Sequence, residues 1–186
     1  MKKPYREMTS LHFRQGSRVE VRNEQGAWFP GHVVDPNSNP SPFSLRNRRP
    51  RVLVQYETLV SEDDPSQPLT EEVDVSLIRP APPVEDNAAG EVEFAAHDVV
   101  EAFYMDAWWR GVVMGFDGDK YTVGFKSPPD LLELRRVELR RPWDWCGGEW
   151  VRVEKEVGGL GLVMHVGFGS LLCMCSVLGL FGDLCS

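Results

Sequence analysis

The chain states one pattern twice. Residues 13–34 read Phe-x-x-Gly-Ser-Arg-Val-Glu-Val, a short polar gap, then Gly-Ala-Trp-Phe-Pro-Gly-His-Val-Val. Residues 94–113 read Phe-x-x-His-Asp-Val-Val-Glu-Ala, a similar gap, then Asp-Ala-Trp-Trp-Arg-Gly-Val-Val. Each copy continues into another apolar run (Arg51–Tyr56; Lys120–Phe125) and ends on a Val-x-Leu-x-Arg-Pro-type close (Val75–Pro80; Val137–Pro142). A duplication on this scale splits the 186 residues into two similar units of about 60–70 residues each. It points to a tandem recognition module, because nothing repeated in it has the form of a reaction centre.

The local pattern within each copy is short strands and turns. Val19 and Val21 alternate with charged residues over Ser17–Arg22, a half-buried strand. Asn23–Gly26 is a turn, Ala27–Val34 a second strand, Arg51–Tyr56 a third, and Glu72–Ile78 a short closing one. Asp35–Pro50 and Ser61–Gln67 read as exposed loops. The matching strands of the second copy are Val99–Phe103, Trp108–Met114, Lys120–Phe125 and Arg136–Leu139, with one helical turn expected over Leu131–Arg136. Asp117-Gly118-Asp119 is a hairpin signal. The expected class is all-β: two small antiparallel barrels in tandem, followed by a hydrophobic C-terminal tail of undetermined structure. The expected division is a flexible N-terminus (1–12), unit 1 (13–80), a Pro-rich acidic linker (81–91), unit 2 (92–156) and an apolar Gly-rich tail (157–186). Trp143, Trp145 and Trp150 fall within eight positions and read as a packing strand.

The formal net charge of −8 argues against general affinity for nucleic acid and suits a basic partner. Cys146, Cys173, Cys175 and Cys185 crowd towards the C-terminus, without a framework spanning the repeats or zinc-ligand spacing. Reduced thiols and no metal site are expected. The first residues lack the apolar core of a secretory signal. From Val157 to Gly182 no side chain is formally charged. That length admits a membrane span. An extension foreign to the repeats, such as a retained intron, is the first reading of this tail, and a membrane anchor the second.

Three stretches carry a resemblance. They are Gly-Ala-Trp-Phe-Pro-Gly-His-Val-Val, Arg-Val-Leu-Val-Gln-Tyr-Glu-Thr-Leu, and Glu-Glu-Val-Asp-Val-Ser-Leu-Ile-Arg-Pro-Ala-Pro-Pro. Together with the second close, Arg-Arg-Pro-Trp-Asp-Trp-Cys-Gly-Gly-Glu-Trp-Val, they resemble plant tandem Agenet units of the Tudor-like group, over about residues 11–156. The resemblance implies a pair of Tudor-like barrels, a role in chromatin, and methylated lysine on a histone tail as ligand. Aromatic faces suit that ligand, because a methylated ammonium is cationic, bulky and weakly hydrated.

The resemblance also implies a cage drawn from the end of strand one, the aromatic after the first turn and the end of strand three. In copy two these places hold Phe103, Trp109 and Phe125, with Tyr104 and Trp108 as exchangeable neighbours, since a shift of one residue reverses the face of a strand. Asp106 and Asp130 are the candidate acids. In copy one Arg22 interrupts the trio, leaving Phe29 and Tyr56, with Trp28 as the possible compensation.

An enzyme is not expected, because His12, His32, His97 and His165 are scattered without a paired acid or nucleophile. No cofactor is expected either. The leading expectation is a nuclear reader of a histone H3-type tail or another basic methylated peptide. The alternative is a scaffold or adaptor that binds protein or RNA without methyl recognition, tethered to a membrane if the tail is an anchor. Nucleic acid is the secondary partner, through arginine patches at 46–51 and at Arg135, Arg136, Arg140 and Arg141.

Overall fold

The computed structural model describes residues 13–36, 50–83, 93–126, 131–157, 162–166 and 175–176. Asp130, most of the 35–50 loop and of the linker, the first twelve residues and most of the tail lie outside that set. The chain divides into two compact units, Met1–Ala81 and Pro82–Ser186.

Unit 1 is built from β1 (Arg18–Arg22), β2 (Trp28–Asp35), β3 (Arg51–Val60), β4 (Pro68–Asp74) and β5 (Ile78–Pro80). Each strand pairs antiparallel with the next as far as β4, and β5 returns to the open side of β1. Val19, Val21, Val33, Val52, Val54, Val73 and Ile78 fill the interior, capped by Phe13 and Tyr56. These β-branched residues fit the pleated surface of a strand, which is why so short a chain holds its sheet.

Unit 2 repeats the plan with β6 (Val99–Tyr104), β7 (Ala107–Asp117), β8 (Lys120–Gly124), β9 (Leu131–Arg135) and β10 (Leu139–Arg140). Again β10 closes onto the first strand, with Leu139 opposite Ala102. Its core gathers Val100, Ala102, Val113, Val123, Leu134 and Leu139 around an edge-to-face pair, Phe94 and Tyr121, at 6.0 Å. Asp117 pairs with Lys120 around Gly118, whose φ is +59°, so the Asp-Gly-Asp signal marks the hairpin as expected.

Three local expectations are corrected. The close of each copy is not one strand but a strand, a 3-10 turn and a second short strand. The turns are Val75–Leu77 and Arg136–Glu138. Asp74 caps the first by accepting from the Ser76 backbone N–H at 2.9 Å, which satisfies a donor that a continuing ladder would have used. The helical turn expected over Leu131–Arg136 is strand β9, paired with β8 from Gly124–Leu131 to Lys120–Arg135. The tryptophan-rich segment is likewise two strands, β11 (Trp143–Cys146) and β12 (Glu149–Val157), around Gly147-Gly148. Both glycines have positive φ, as a two-residue hairpin turn requires. Trp145 and Trp150 meet across it with their rings tilted and their centres 5.0 Å apart, and Asp144 bonds Arg110 of β7. Two further strands, β13 (Leu162–Val166) and β14 (Cys175–Ser176), continue antiparallel from β12. Among the described residues no helix is long and apolar enough to cross a membrane.

Candidate functional site

Strand parity sorts the candidate residues. In β6 Val100 and Ala102 face the core of unit 2, so Tyr104, two positions on, lies on the same side at the strand end. In β7 Trp109 stands opposite Ala102 and shares that side with core residue Val113. Phe125 follows Val123 by two positions and packs against the same core. Tyr104, Trp109 and Phe125 therefore lie on the inward side at one end of the barrel, all half-buried. The Trp109 indole N–H donates to the Tyr104 carbonyl at 2.8 Å, which fixes the ring's orientation.

Gly111 makes room for the third ring. A methyl group there would sit 3.0 Å from the Phe125 ring, 2.6 Å from Val123 and 2.9 Å from the Gly124 carbonyl. Gly111→Ala is expected to destabilise unit 2 by about 2 kcal/mol through overpacking. Gly115→Ala, with nothing within 4 Å, is the matched control. Chemical denaturation of both variants is the check.

Phe103 does not join Trp109 and Phe125, and the trio anticipated above is corrected on this point. Phe103 pairs with Trp108 on the opposite side of the sheet, rings 5.0 Å apart. Trp108 in turn carries the Arg140 guanidinium 3.9 Å from its ring centre. Of the two exchangeable neighbours, Tyr104 takes the place of Phe103 on the inward side, and Trp108 does not. Asp106 is exposed in the tight turn between Tyr104 and Ala107.

Unit 1 has two inward rings at the equivalent end. Phe29 meets Tyr56 edge-to-face at 6.4 Å. Tyr56 is only 6% exposed and its hydroxyl donates to Glu71 at 3.0 Å. Burial, then the Glu71 charge, push the phenol well above its ordinary value of 10.0, so it stays a neutral donor. Asn23 stands where copy two has Tyr104, and its side chain accepts from the Ala27 N–H at 2.9 Å. Trp28 faces the other way, with the guanidinium of Arg79 at 4.0 Å and of Arg22 at 5.9 Å, and does not compensate for the missing ring.

A repeated ionic pair escaped the reading of the sequence. Glu20 and Arg79 sit directly across β1 and β5, at 2.7 Å, with side chains 3% and 1% exposed. Glu101 and Arg140 occupy the same places in unit 2, at 2.6 Å, with Glu101 1% exposed. Each arginine lies over the tryptophan of its own copy, so Trp28 and Trp108 belong to this scaffold. Half of the signal was present: Glu20 and Glu101 fall at matching positions of the duplication, but the Val-x-Leu-x-Arg-Pro closes set Arg79 opposite Arg141, one place past the arginine that the strand register puts across from Glu101.

An Agenet domain model matches residues 16–83. DUF724 domain-containing protein 3 of Arabidopsis thaliana is 36% identical over 155 residues, which is 81% of this chain and 21% of that protein. Protein AGENET DOMAIN (AGD)-CONTAINING P1, from the same plant, is 31% identical over 75% of this chain and 27% of its own length. The chain thus spans about a quarter or less of the curated relatives it matches. The crystal structure of ADCP1 tandem Agenet domain 3-4 is similar at 34% identity and a TM-score of 0.61, over 78% of this chain and 91% of that one. The structure of Arabidopsis thaliana AGDP1 AGD34 is covered to 98%, with 30% identity, a TM-score of 0.63 and 81% of this chain. Matching solved tandem pairs almost from end to end, the chain belongs to the Agenet family and carries two of its Tudor-like units in tandem.

Proposed function

We propose that this chain is a non-catalytic, nuclear chromatin reader that binds methylated lysine on a histone-type tail through unit 2. The observation that carries this reading is the inward placement of Tyr104, Trp109 and Phe125 at one barrel end, with the indole locked onto the Tyr104 carbonyl. A methylated ammonium held among aromatic faces gains roughly 0.5–2 kcal/mol from each. The exposed Asp106 carboxylate beside Tyr104 favours cations, and it accepts the remaining N–H of a lower methylation state. Unit 1 lacks the third ring, and its Tyr56 is buried with its hydroxyl engaged, so unit 2 is assigned the reading.

Calorimetry with unmodified, dimethylated and trimethylated lysine peptides of an H3-type tail tests the reading. The methylated peptides are expected to bind at least tenfold more tightly than the unmodified one. Equal binding of all three, or none, removes it.

A further inference from the structure

The turn that joins β6 to β7 sits in an unfavourable conformation. Met105 and Asp106 have φ of +46° and +62°. A two-residue hairpin of this kind is normally made by Asn-Gly, because other residues crowd their own backbone at positive φ. Copy one solves the same connection with a longer loop whose positive φ falls on Gly26, at +88°. His97 is the other described non-glycine residue at positive φ. It has a structural reason: its N–H bonds the Val113 carbonyl at 2.7 Å, as Gly16 bonds Val33 in copy one at the same distance. The Met105–Asp106 turn has no such counterpart. It also leaves Met105 69% exposed, so an apolar side chain stands in water at a strained position.

Both features lie at the proposed cage. The turn begins directly after Tyr104, whose carbonyl holds the Trp109 indole, and it pins Tyr104 opposite Ala107. We propose that the Met105–Asp106 turn is a specificity-determining part of the ligand site: Met105 packs its thioether against the aliphatic stem of the bound lysine, and Asp106 faces its ammonium. The proposal rests on the methyl-lysine reading above. Strain held at a binding rim is a recurrent use of such backbone conformations. An unbranched, polarisable methionine suits an adaptable contact there.

The test replaces the turn with its unstrained form, Met105→Asn with Asp106→Gly, in the full chain. The turn keeps its length, so Tyr104 and Trp109 keep their places. The melting temperature is expected to rise by roughly 5 °C, while affinity for a dimethyl-lysine peptide falls at least fivefold. The single change Met105→Asn, which retains the carboxylate, is expected to lose about threefold and isolates the thioether. A double variant that is no more stable than the wild type overturns the strain. One that binds within twofold of the wild type overturns the contact. A wild-type chain that binds no methylated peptide fails the underlying reading instead, and this proposal with it.

Discussion

Replacing Arg79 with leucine is expected to cost unit 1 about 3–5 kcal/mol of folding stability, a large part of what a unit of this size possesses. The reason is the carboxylate left behind. Glu20 is 2% exposed and meets the Arg79 guanidinium through both Nε, at 2.9 Å, and Nη2, at 2.7 Å. Without that cation a buried carboxylate loses both of these contacts, or the strand must open to water. The stack of Arg79 on Trp28 is lost as well. Combining Arg79→Leu with Glu20→Met is expected to recover most of the loss, since a buried ion pair is often matched by apolar residues of similar volume. Equilibrium unfolding of both variants, followed by circular dichroism, is the check. A single variant as stable as the wild type would show that the pair is dispensable.

Trp109→Ala is expected to weaken binding of a methylated peptide by about 30-fold, or about 2 kcal/mol, as loss of a central aromatic wall does. Trp108→Ala is expected to leave affinity within about threefold, on the same reasoning, and to lower stability by removing the ring beneath Arg140. The pair of substitutions separates the two sides of the sheet. They are chemically alike and adjacent in sequence, yet one ring bonds the Tyr104 carbonyl and the other lies under a guanidinium. Peptide calorimetry and thermal melts on the same samples read both effects. Comparable losses of affinity from both would place the ligand elsewhere.

How far the fold was legible follows from these same residues. The duplication revealed the two units and most strand cores, because Val19, Val21, Val33, Val52 and Val54 are apolar where the interior needs them. The site was legible as a neighbourhood and not as a face. Alternation is the signal that assigns a strand's sides. In β6 it is erased, because Val99, Val100, Glu101 and Ala102 are all buried. Glu101 reads as a solvent-facing residue and is instead hidden by Arg140, a partner 39 positions away. Sequence position thus puts Phe103 in the trio, with Tyr104 as the neighbour that a shift of one residue exchanges for it. The 3-10 turns were missed for a related reason. Val137 looks like a strand core residue and is 77% exposed, while the turn is set by local bonds such as Glu138 accepting from the Arg135 N–H at 2.7 Å.

Six tryptophans give the chain six indole N–H reporters, so nuclear magnetic resonance during a peptide titration addresses the ligand's position directly. The indole resonance of Trp109 is expected to shift saturably with a dimethyl-lysine peptide and to hold still with the unmodified one. Those of Trp28 and Trp108, stacked beneath arginines, are expected to move little. A saturating shift at Trp108 with Trp109 unmoved would contradict the inward site.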